Sequence, residues 1–350
     1  MPHISIAIPT FNRGHLIGAT IESVLQQEFQ DFDLLVVDDA SIDNTLEVVR
    51  EYCQGDSRVR LVINPRNLGL VRNWNRCLDL SGGPLVQLLQ SDDLVDANYL
   101  RLVSQTFDLY PELGFVAASC RYIDDASEII HPGTPRAPQY YHAGDEAVSA
   151  LLTGGFPHVS SLIVRQECYG RQGKFDERIW HGPDVEMDAR IASKYDFYHL
   201  GGVHTSFRRH GTNMGNLEYL RKDFLEIDRL KKEKAWNYLS PQGRADLGVC
   251  DLENYLNHEM ARVALRGSIL TVTHGRHALA ADYFRQALKY DPGVFQNQLF
   301  WKSAALLAFP PLGRRLMQSR MKISARDQSI ALSVELALQS LPDNVKTRLS

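Results

Sequence analysis

Two adjacent carboxylates, Asp92 and Asp93, follow an apolar run that begins at Leu85. Such a pair is most often a solvated turn that ends a strand. It can also hold a divalent cation, because carboxylate oxygens are preferred ligands of Mg²⁺ and Mn²⁺. A second pair, Asp38 and Asp39, ends another apolar run. Neighbouring like charges stay ionised only where water, hydrogen-bond donors or a cation lie nearby, so both pairs are candidate binding sites.

The first hundred residues alternate between strand and helix patterns, and these elements must position the acids. The predicted strands are apolar runs over residues 3–9, 32–40, 58–65 and 84–90. Apolar residues recur at helical spacing over residues 15–27, 44–53 and 69–81. This alternation predicts an α/β fold with a mostly parallel sheet flanked by helices. Because ligands of such sheets bind beyond the carboxyl ends of the strands, the clusters "PTFNR", "DDAS" and "QSDD" should line one edge.

The pattern changes further along the chain. Residues 98–110 predict a helix, "LGFVAASCRYID" and "VSSLIVRQE" predict strands, and residues 131–145 predict a loop. The segment "DFYHLGGVHTSFRRHGTN" predicts a hairpin or two short strands. From residue 217 onward the signals are almost wholly helical. The sequence therefore predicts one domain over 1–216 and an all-helical C-terminal domain over 217–350.

Composition excludes several functional classes. Hydrophobic residues make up 44% of the 350 residues, and the formal net charge of -4 provides no basic field to attract nucleic acid. The five cysteines form no C-x-x-C pair, which argues against a disulfide framework or a zinc site and suits a reducing cytoplasm. No signal peptide and no long apolar window are visible, so a cytoplasmic protein is predicted.

Motifs of other enzyme classes are missing as well. The first strand is not followed by G-x-G-x-x-G or G-x-x-x-x-G-K-[ST], which lowers the odds of a nicotinamide, flavin or P-loop enzyme. The histidines show no H-E-x-x-H zinc spacing, and "GGFPHVSSLIV" lacks a G-x-S-x-G elbow. His158, Ser160 and Ser161 are therefore interpreted as a pocket wall or strand.

The opening segment "ISIAIPTFNRGHLIGATIESVLQQEFQDFDLLVVDDASIDNT" resembles that of family 2 glycosyltransferases, the inverting nucleotide-sugar enzymes of the GT-A fold. Later motifs follow in the family's order: "NPRNLGLVRNWN", "LLQSDD", "GKFDERIWHGPDVEMDARI" and "FRRHG". The resemblance covers residues 3–215 and leaves the helical remainder uncovered. It implies a Rossmann-like GT-A sheet and transfer of a sugar to an acceptor hydroxyl, in surface polysaccharide or glycan synthesis.

The resemblance assigns the nucleotide-sugar donor to the strand ends. The walls of the base and ribose would be Pro9, Thr10, Phe11, Asn12 and Arg13, although "TFNR" read alone is equally a helix-entry loop. Asp39 would accept a hydrogen bond from a base imide N–H, which favours a UDP- or dTDP-type donor. Arg72 would lie beside the base, with a surface helix arginine as the alternative. Ser91 would complete the nucleotide-binding set.

The resemblance also implies a divalent cation. Asp92 matches the last acid of the family's D-x-D pattern and would ligate Mn²⁺ or Mg²⁺, which stabilises the departing diphosphate as a Lewis acid. His210 would approach the metal or the diphosphate, with a surface basic cluster as the alternative. Asp93 would bind sugar hydroxyls or residues that support the cation ligands. Gln90 stands where the family commonly has the first acid, so the site is one negative charge short.

The general base is assigned to Asp184 by the same resemblance. It would take the proton of the acceptor hydroxyl as that oxygen attacks the anomeric carbon with inversion. Glu186 is assigned to sugar binding and is the second choice as base, and Arg190 fits the family's arginine on the same helix. The alternative is that Asp184 only caps its helix. Pro183 replaces the acid that usually precedes the base.

The helical extension carries two weaker signals. Residues 277–292 resemble the second helix of a tetratricopeptide unit, and a lone match is weak. Residues 292–326 contain six basic residues and no acid. Residues 299–322 are apolar with a basic flank and could lie on the inner face of an anionic membrane, which suits a lipid-linked acceptor. A buried helix or a homo-oligomer contact is the alternative.

Two hypotheses from other classes stay open. The chain could be a nucleotide-sugar-binding module that has lost catalysis, because Gln90 and Pro183 depart from the family pattern. It could also be a scaffold whose helical tail recruits partners. Turnover of a nucleotide-sugar that is lost with Asp184 would separate the enzyme from both.

Overall fold

A computed structural model of the protein describes residues 4–210, 218–273 and 275–308. The chain divides into two compact units. The first contains residues 4–209 and Lys234–Leu247, and the second contains His210–Glu233 and the described residues from Gly248 onward. The first unit thus takes in a segment from the predicted helical domain. The assignment of 1–216 and 217–350 as separate domains stays a prediction.

The described residues form ten strands and twelve helices. The strands are β1 (Ile4–Thr10), β2 (Phe32–Asp38), β3 (Val59–Ile63), β4 (Leu85–Leu88), β5 (Leu94–Val95), β6 (Phe115–Ile123), β7 (Ile129–His131), β8 (Gln139–Tyr141), β9 (Leu162–Arg165) and β10 (Phe197–Arg208). The helices are α1 (Ile17–Leu25), α2 (Thr45–Gly55), α3 (Leu70–Leu80), α4 (Tyr99–Leu109), α5 (Asp145–Gly154), α6 (Gln166–Gln172), α7 (Pro183–Ala192), α8 (Phe224–Asn237), α9 (Pro241–Asp246), α10 (Leu252–Thr273), α11 (His277–Tyr290) and α12 (Gln298–Ala308).

The strands form one mixed sheet in the order β3-β2-β1-β4-β9-β6-β10-β5, with β7 beside β6 and β8 beside β10. Strands β3, β2, β1 and β4 run parallel, as do β6 and β10. Strand β9 is antiparallel to both β4 and β6. The predicted α/β architecture is confirmed, with β9 as an antiparallel strand inside it.

Strand β1 lies at the centre of the parallel group, and all seven of its residues are buried. Its residues Ile4, Ile6 and Ile8 pack in one hydrophobic core with Leu34 and Val36 of β2. A strand that is covered on both faces needs a continuous apolar run rather than alternation. Full burial of each such side chain contributes roughly 1.5–3 kcal/mol to the free energy of folding. The apolar residues of β1 therefore stabilise the centre of the parallel group.

One strand, β10, stands where the sequence predicted a hairpin or two short strands, so that prediction is wrong. The first part of β10 pairs with β8 and the second part with β5, while β6 runs parallel along both. The register with β6 shifts between His199 and Thr205. Gly202 has a φ of 89° there, a conformation that glycine adopts without steric cost. The Gly-Gly pair therefore makes an irregularity within a strand rather than a turn.

The segment Lys234–Leu247 is fastened to the helices of the first unit. Tyr238 Oη donates a hydrogen bond of 2.6 Å to Glu186 Oε1 on α7. The backbone N–H of Ser240 donates a hydrogen bond of 2.8 Å to Asp145 Oδ1 at the start of α5. Both carboxylates thus receive donors from a segment that follows them by 52 and 95 residues.

The described part of the second unit is helical, as predicted. Val272, Ala280 and Leu306 are almost fully buried and form a small apolar cluster among α10, α11 and α12. On α10, a Cβ at Gly267 would lie 3.2 Å from ring carbons of Tyr283. The absence of a side chain at Gly267 therefore permits close packing between α10 and α11.

Two aromatic side chains near the end of the described residues are open to solvent. Phe295 is 50% exposed and Trp301 is 65% exposed. The predicted membrane-contact segment, 299–322, begins here, but residues 309–322 lie outside the described ranges. None of the helices within those ranges is long and apolar enough to cross a membrane. Contact with a membrane surface stays a prediction.

Candidate active site

The carboxyl ends of β1 and β2 lie side by side, because Thr10 and Asp38 are paired in the parallel register. The loops that follow are tied together. The backbone N–H of Asn12 donates to Ser41 Oγ at 2.8 Å, and the N–H of Ile42 donates to Asn12 Oδ1 at 2.9 Å. The clusters "PTFNR" and "DDAS" therefore form one surface at the sheet edge, as the sequence predicted.

The predicted nucleotide-binding residues differ in how open they are. Phe11 is 42% exposed and offers a flat aromatic face. Thr10 is buried, and its Oγ1 has no hydrogen-bond partner within the described ranges. Pro9 lies within β1, and Ser91 is buried. Arg13 links this loop to the end of the next parallel strand, because its Nε lies 3.5 Å from Asp92 Oδ2.

Asp39 is buried and accepts three hydrogen bonds from its own chain. Its Oδ1 accepts from Asn64 Nδ2 and from the N–H of Leu68, both at 2.8 Å. Its Oδ2 accepts from the N–H of Gly69 at 2.9 Å. A carboxylate offers about four acceptor sites. Three of those on Asp39, which is 2% exposed, hold the loop before α3. The predicted contact with a base imide stays a prediction.

Arg72 lies on the surface of α3. Its side chain is 60% exposed, and its Nε lies 2.7 Å from Glu177 Oε2. This exposed position matches the surface-arginine alternative. An exposed ion pair of this kind contributes at most about 1 kcal/mol to stability. A contact with the base would require Arg72 to leave Glu177.

Asp93 is almost fully enclosed. Ser160 Oγ and the N–H of Arg208 donate to its carboxylate at 2.5 and 2.9 Å. Burial, and then the charge of Asp92, raise the pKa of Asp93 well above its usual range. Arg208 also donates from Nε to the carbonyl oxygen of Asp92 at 2.8 Å. Asp93 therefore fixes the turn after β4, and its predicted contact with sugar hydroxyls is untested.

Asp92 is the more open acid, with 13% of its side chain exposed. Among the residues that the structure describes, no three His, Cys, Asp or Glu side chains are placed to hold a metal ion together. A single carboxylate still suits Mg²⁺, which takes its other oxygens from water and substrate phosphates. Asp92 therefore fits the predicted cation together with a bound diphosphate.

Two other residues bear on this cation. Gln90, which stands in place of the first acid of the family pattern, has a buried Nε2 with no hydrogen-bond partner in the described part of the chain. Its backbone N–H donates to Ser160 Oγ at 3.1 Å. His210 is buried and belongs to the second unit. Its predicted approach to the metal or the diphosphate stays a prediction.

Asp184 lies in the first turn of α7, after Gly182 at the N-cap and Pro183 at the first helical position. The alternative that Asp184 is the N-cap is therefore wrong. The carboxylate is partly exposed and has no hydrogen bond or ion pair with any described residue. Its charge acts on the His158 ring, as does that of Asp92. A partly exposed carboxylate with no hydrogen bond or ion pair among the described residues is suited to accept a proton.

Comparison with known families agrees with this arrangement. Residues 5–166 match the family model described as glycosyl transferase family 2. Residues 5–166 are a family 2 glycosyltransferase domain. The glycosyltransferase domain thus contains the strand ends that carry Asp39 and Asp92, whereas Asp184 follows it in the chain.

Curated relatives share this domain. The chain is 25% identical over 242 residues to chondroitin synthase of Pasteurella multocida, which covers 68% of this chain and 24% of that protein. It is 39% identical over 99 residues to WfgD of Escherichia coli, a UDP-Glc:alpha-D-GlcNAc-diphosphoundecaprenol beta-1,3-glucosyltransferase. The matched region covers 28% of this chain and 38% of that protein. The chain thus spans well under half the length of these relatives.

Solved structures extend the likeness beyond the family match. Staphylococcus aureus TarS 1-349 has a TM-score of 0.60 at 17% identity and covers 97% of this chain and 92% of its own. The mannosyltransferase PcManGT of Pyrobaculum calidifontis has a TM-score of 0.56 at 17% identity and covers 96% and 86%. These likenesses confirm the predicted GT-A fold with its helical C-terminal region. The first unit is called the GT-A unit below.

The buried Glu186 and the half-buried Tyr238 form a hydrogen-bonded pair in the GT-A unit, which the sequence did not indicate. Glu186 is 1% exposed, and its carboxylate accepts from Tyr238 Oη at 2.6 Å and Arg190 Nη2 at 3.1 Å. Burial and the Glu186 carboxylate raise the pKa of Tyr238. The predicted sugar-binding role of Glu186 is untested, and this geometry favours a role in holding α7.

We expect Tyr238→Phe to lower the free energy of unfolding by roughly 1.5–3 kcal/mol, the contribution of a hydrogen bond to a charged group. The denaturation midpoint in urea measures this change. Tyr141→Phe is the matched control, because the Tyr141 hydroxyl donates to Gln139 at an exposed site. Equal midpoints for the two variants would contradict a stabilising role for the Glu186 contact.

Asp188 is a second buried acid of α7 that the sequence did not single out. It is 5% exposed, and its Oδ2 has no hydrogen-bond partner among the described residues. Burial, and then the charges of Asp184 and Glu186, raise its pKa well above the usual range. Burial, and then the charge of Asp188, also raise the pKa of Tyr169.

The raised pKa of Asp188 predicts a pH effect on stability. Its neutral form contributes fully below the unfolded-state value of about 3.9, and that contribution is lost as pH rises toward the folded-state pKa. Asp188→Asn removes this loss, so the variant should gain stability relative to wild type between pH 5 and 8, by at most about 1.4 kcal/mol per pH unit. Urea unfolding across that range measures the slope. An unchanged slope would show that Asp188 is ionised in the fold, and the exposed Asp125→Asn is the control.

Proposed function

We propose that the protein is an inverting glycosyltransferase that moves a sugar from a nucleoside diphosphate-sugar to an acceptor hydroxyl. The observation that carries this proposal is the accessible, unpaired carboxylate of Asp184. Its charge acts, together with that of Asp92, on one histidine, His158. The proposed proton acceptor, Asp184, and the proposed ligand of the cation, Asp92, thus belong to the same unit.

In the proposed reaction, Asp184 takes the proton of the acceptor hydroxyl while the oxygen bonds to the anomeric carbon. The bond from that carbon to the diphosphate oxygen breaks, and the anomeric configuration inverts. Base catalysis of this kind contributes about 10²–10⁴-fold. Asp92 would hold Mn²⁺ or Mg²⁺, which when bound supplies Lewis-acid stabilisation of the leaving diphosphate.

A uracil- or thymine-type base is the proposed donor base. The N–H of Asp39 donates to the carbonyl oxygen of Thr10, the neighbour of the exposed Phe11, and a carboxylate with three donors has room for a fourth, such as an imide N–H. TarS has been solved with UDP and with UDP-GlcNAc, which supports this donor class. PcManGT has been solved with GDP-Man and Mn²⁺. That complex supports the cation and makes GDP-sugars the necessary comparison.

The acceptor is proposed to be a glycan or a lipid-linked sugar in polysaccharide synthesis. The names of two relatives support this class: chondroitin synthase builds a polysaccharide, and WfgD is named for a diphosphoundecaprenol-linked acceptor. The exposed Trp301 and Phe295 are compatible with contact at a membrane surface, which a lipid-linked acceptor would require. Homo-oligomer contact through the same helices is the rival use of that surface.

A catalytically lost binding module is the second candidate. It is favoured by Gln90 and Pro183, which replace two acids of the family pattern, and by Arg13, which offers Asp92 a cation from the chain itself. Such a module predicts donor binding with no turnover.

The first experiment is a thermal-shift screen of the full chain with UDP, dTDP and GDP and their sugars, with and without Mn²⁺. A ligand at a hundredfold excess over its dissociation constant stabilises by about 2.7 kcal/mol. We expect a response to UDP or dTDP and little response to GDP. Turnover of the responding donor, with an inverted product anomer by NMR, completes the test. Binding without turnover for any donor and acceptor would leave the binding module, and a response to GDP alone would overturn the donor proposal.

A further inference from the structure

His158 is the histidine on which the charges of Asp184 and Asp92 act, and its ring is held on two sides. Its Nδ1 accepts the backbone N–H of Ser160 at 3.4 Å, which caps the turn Val159–Ser161. The same nitrogen lies 3.4 Å from Asp93 Oδ2. The ring centroid is 4.2 Å from that of Phe207. These contacts fix the plane of the imidazole.

The other nitrogen, Nε2, is free for a ligand. His158 keeps 26% of its side chain exposed. Its Nε2 has no hydrogen-bond partner among the described residues and is absent from their buried unsatisfied atoms, so it reaches solvent. Burial lowers the pKa of His158, although Asp184 and then Asp92 raise it. A neutral imidazole can serve a hydroxyl group in either tautomer, since a hydroxyl both donates and accepts.

We propose that His158 Nε2 hydrogen-bonds a hydroxyl of the sugar that is transferred. The ring contacts Asp93, which follows Asp92 after β4, where the diphosphate is proposed to lie. Asp184 is close enough for its charge to raise the pKa of the same ring against the lowering by burial. A sugar joined to that diphosphate and attacked beside Asp184 would then lie next to His158. The inference rests on the proposed function and names a sugar-positioning residue for the same site.

Two substitutions separate the nitrogens of His158. Asparagine is a good capping residue, so His158→Asn keeps an acceptor for the Ser160 N–H and loses the group at Nε2. Glutamine is longer and places an amide near the position of Nε2, so His158→Gln keeps a hydrogen-bonding group for the sugar. His131→Asn is the matched control, because His131 Nδ1 accepts the N–H of Gly133 in the same way at an exposed site.

The experiment compares the affinity of each full-length variant for a nucleotide-sugar and for the nucleoside diphosphate alone, with Mn²⁺, by calorimetry. We expect His158→Asn to weaken binding of the nucleotide-sugar roughly 2–10-fold, the range for one lost hydrogen bond. Binding of the diphosphate should change less than twofold. His158→Gln should recover part of the loss, and His131→Asn should match wild type.

Other outcomes overturn the inference. Equal losses for the diphosphate and the nucleotide-sugar would show that His158 only supports the fold of the site. No loss for either would show that Nε2 does not contact the sugar. If wild type binds both ligands and the His158→Asn pattern holds, but no variant turns over a donor, the sugar contact stands and the proposed catalysis fails. Absence of nucleotide-sugar binding by wild type overturns both.

Discussion

Asp184→Asn is expected to lower the turnover number for sugar transfer about 10²–10⁴-fold, the usual contribution of a general base. Asparagine has the shape of aspartate but cannot take the proton of an acceptor hydroxyl. Asp184 has no hydrogen bond or ion pair among the described residues, so the change removes no internal contact of the fold. Initial rates with saturating donor and acceptor measure the effect.

The matched control is Asp108→Asn, which neutralises an exposed carboxylate of α4. Its turnover number should equal that of wild type, and both variants should bind the nucleoside diphosphate normally. A loss smaller than about threefold in Asp184→Asn would remove the base assignment. Glu186→Gln would then be tested next, although the enclosure of Glu186 makes it a weaker base candidate.

The second large effect is expected at Asp92. We expect Asp92→Asn to raise the Mn²⁺ concentration that half-saturates donor binding at least about 10–100-fold, the loss that follows even removal of a partner outside the ligand shell. The loss of the Arg13 contact adds little, because a 3.5 Å ion pair at a partly exposed site is weak. Paramagnetic resonance of bound Mn²⁺ and metal-dependent thermal shifts measure the change without relying on activity.

The reverse substitution tests the same site from the other direction. Gln90→Asp restores the acid that the family pattern has at this position and should tighten Mn²⁺ binding. It should also lower stability without metal, because three neighbouring carboxylates would then repel one another. If Asp92→Asn leaves the Mn²⁺ dependence unchanged, or if neither variant responds to metal, the cation has no place in this site.

Local patterns were sufficient to predict that the candidate residues lie at one edge of the sheet. A continuous apolar run such as "ISIAIP" is typical of a buried parallel strand, and the residue after such a run must lie at the sheet edge. The position of Asn12, Asp39 and Asp92 at that edge followed directly. The antiparallel direction of β9 was harder to predict from the sequence, because it depends on pairing with β4 and β6, which lie far from β9 along the chain.

The partners of the acids were not predictable in this way. Asp39 and Asp92 look alike in the sequence, yet Asp39 accepts three hydrogen bonds and is 2% exposed, whereas the side chain of Asp92 lies near Arg13 and is 13% exposed. Arg208 lies in "FRRHG", for which a surface basic cluster was one of two interpretations, and it is 1% exposed. The difference arises from contacts such as Arg208 with Asp92, across 116 positions, which no periodicity encodes.

The return of Lys234–Leu247 to the GT-A unit has a consequence for folding during synthesis. Asp176 pairs with Lys234 Nζ at 3.0 Å. The carboxylates of Asp145 and Glu186 also have hydrogen-bond donors in this segment. On a ribosome that adds about 5–20 residues per second, the stretch from 217 to 247 takes roughly 2–6 s to emerge. During that interval the helix that carries the proposed base lacks its Tyr238 contact. A nascent chain of this protein therefore completes its GT-A unit only after part of the next unit has been made.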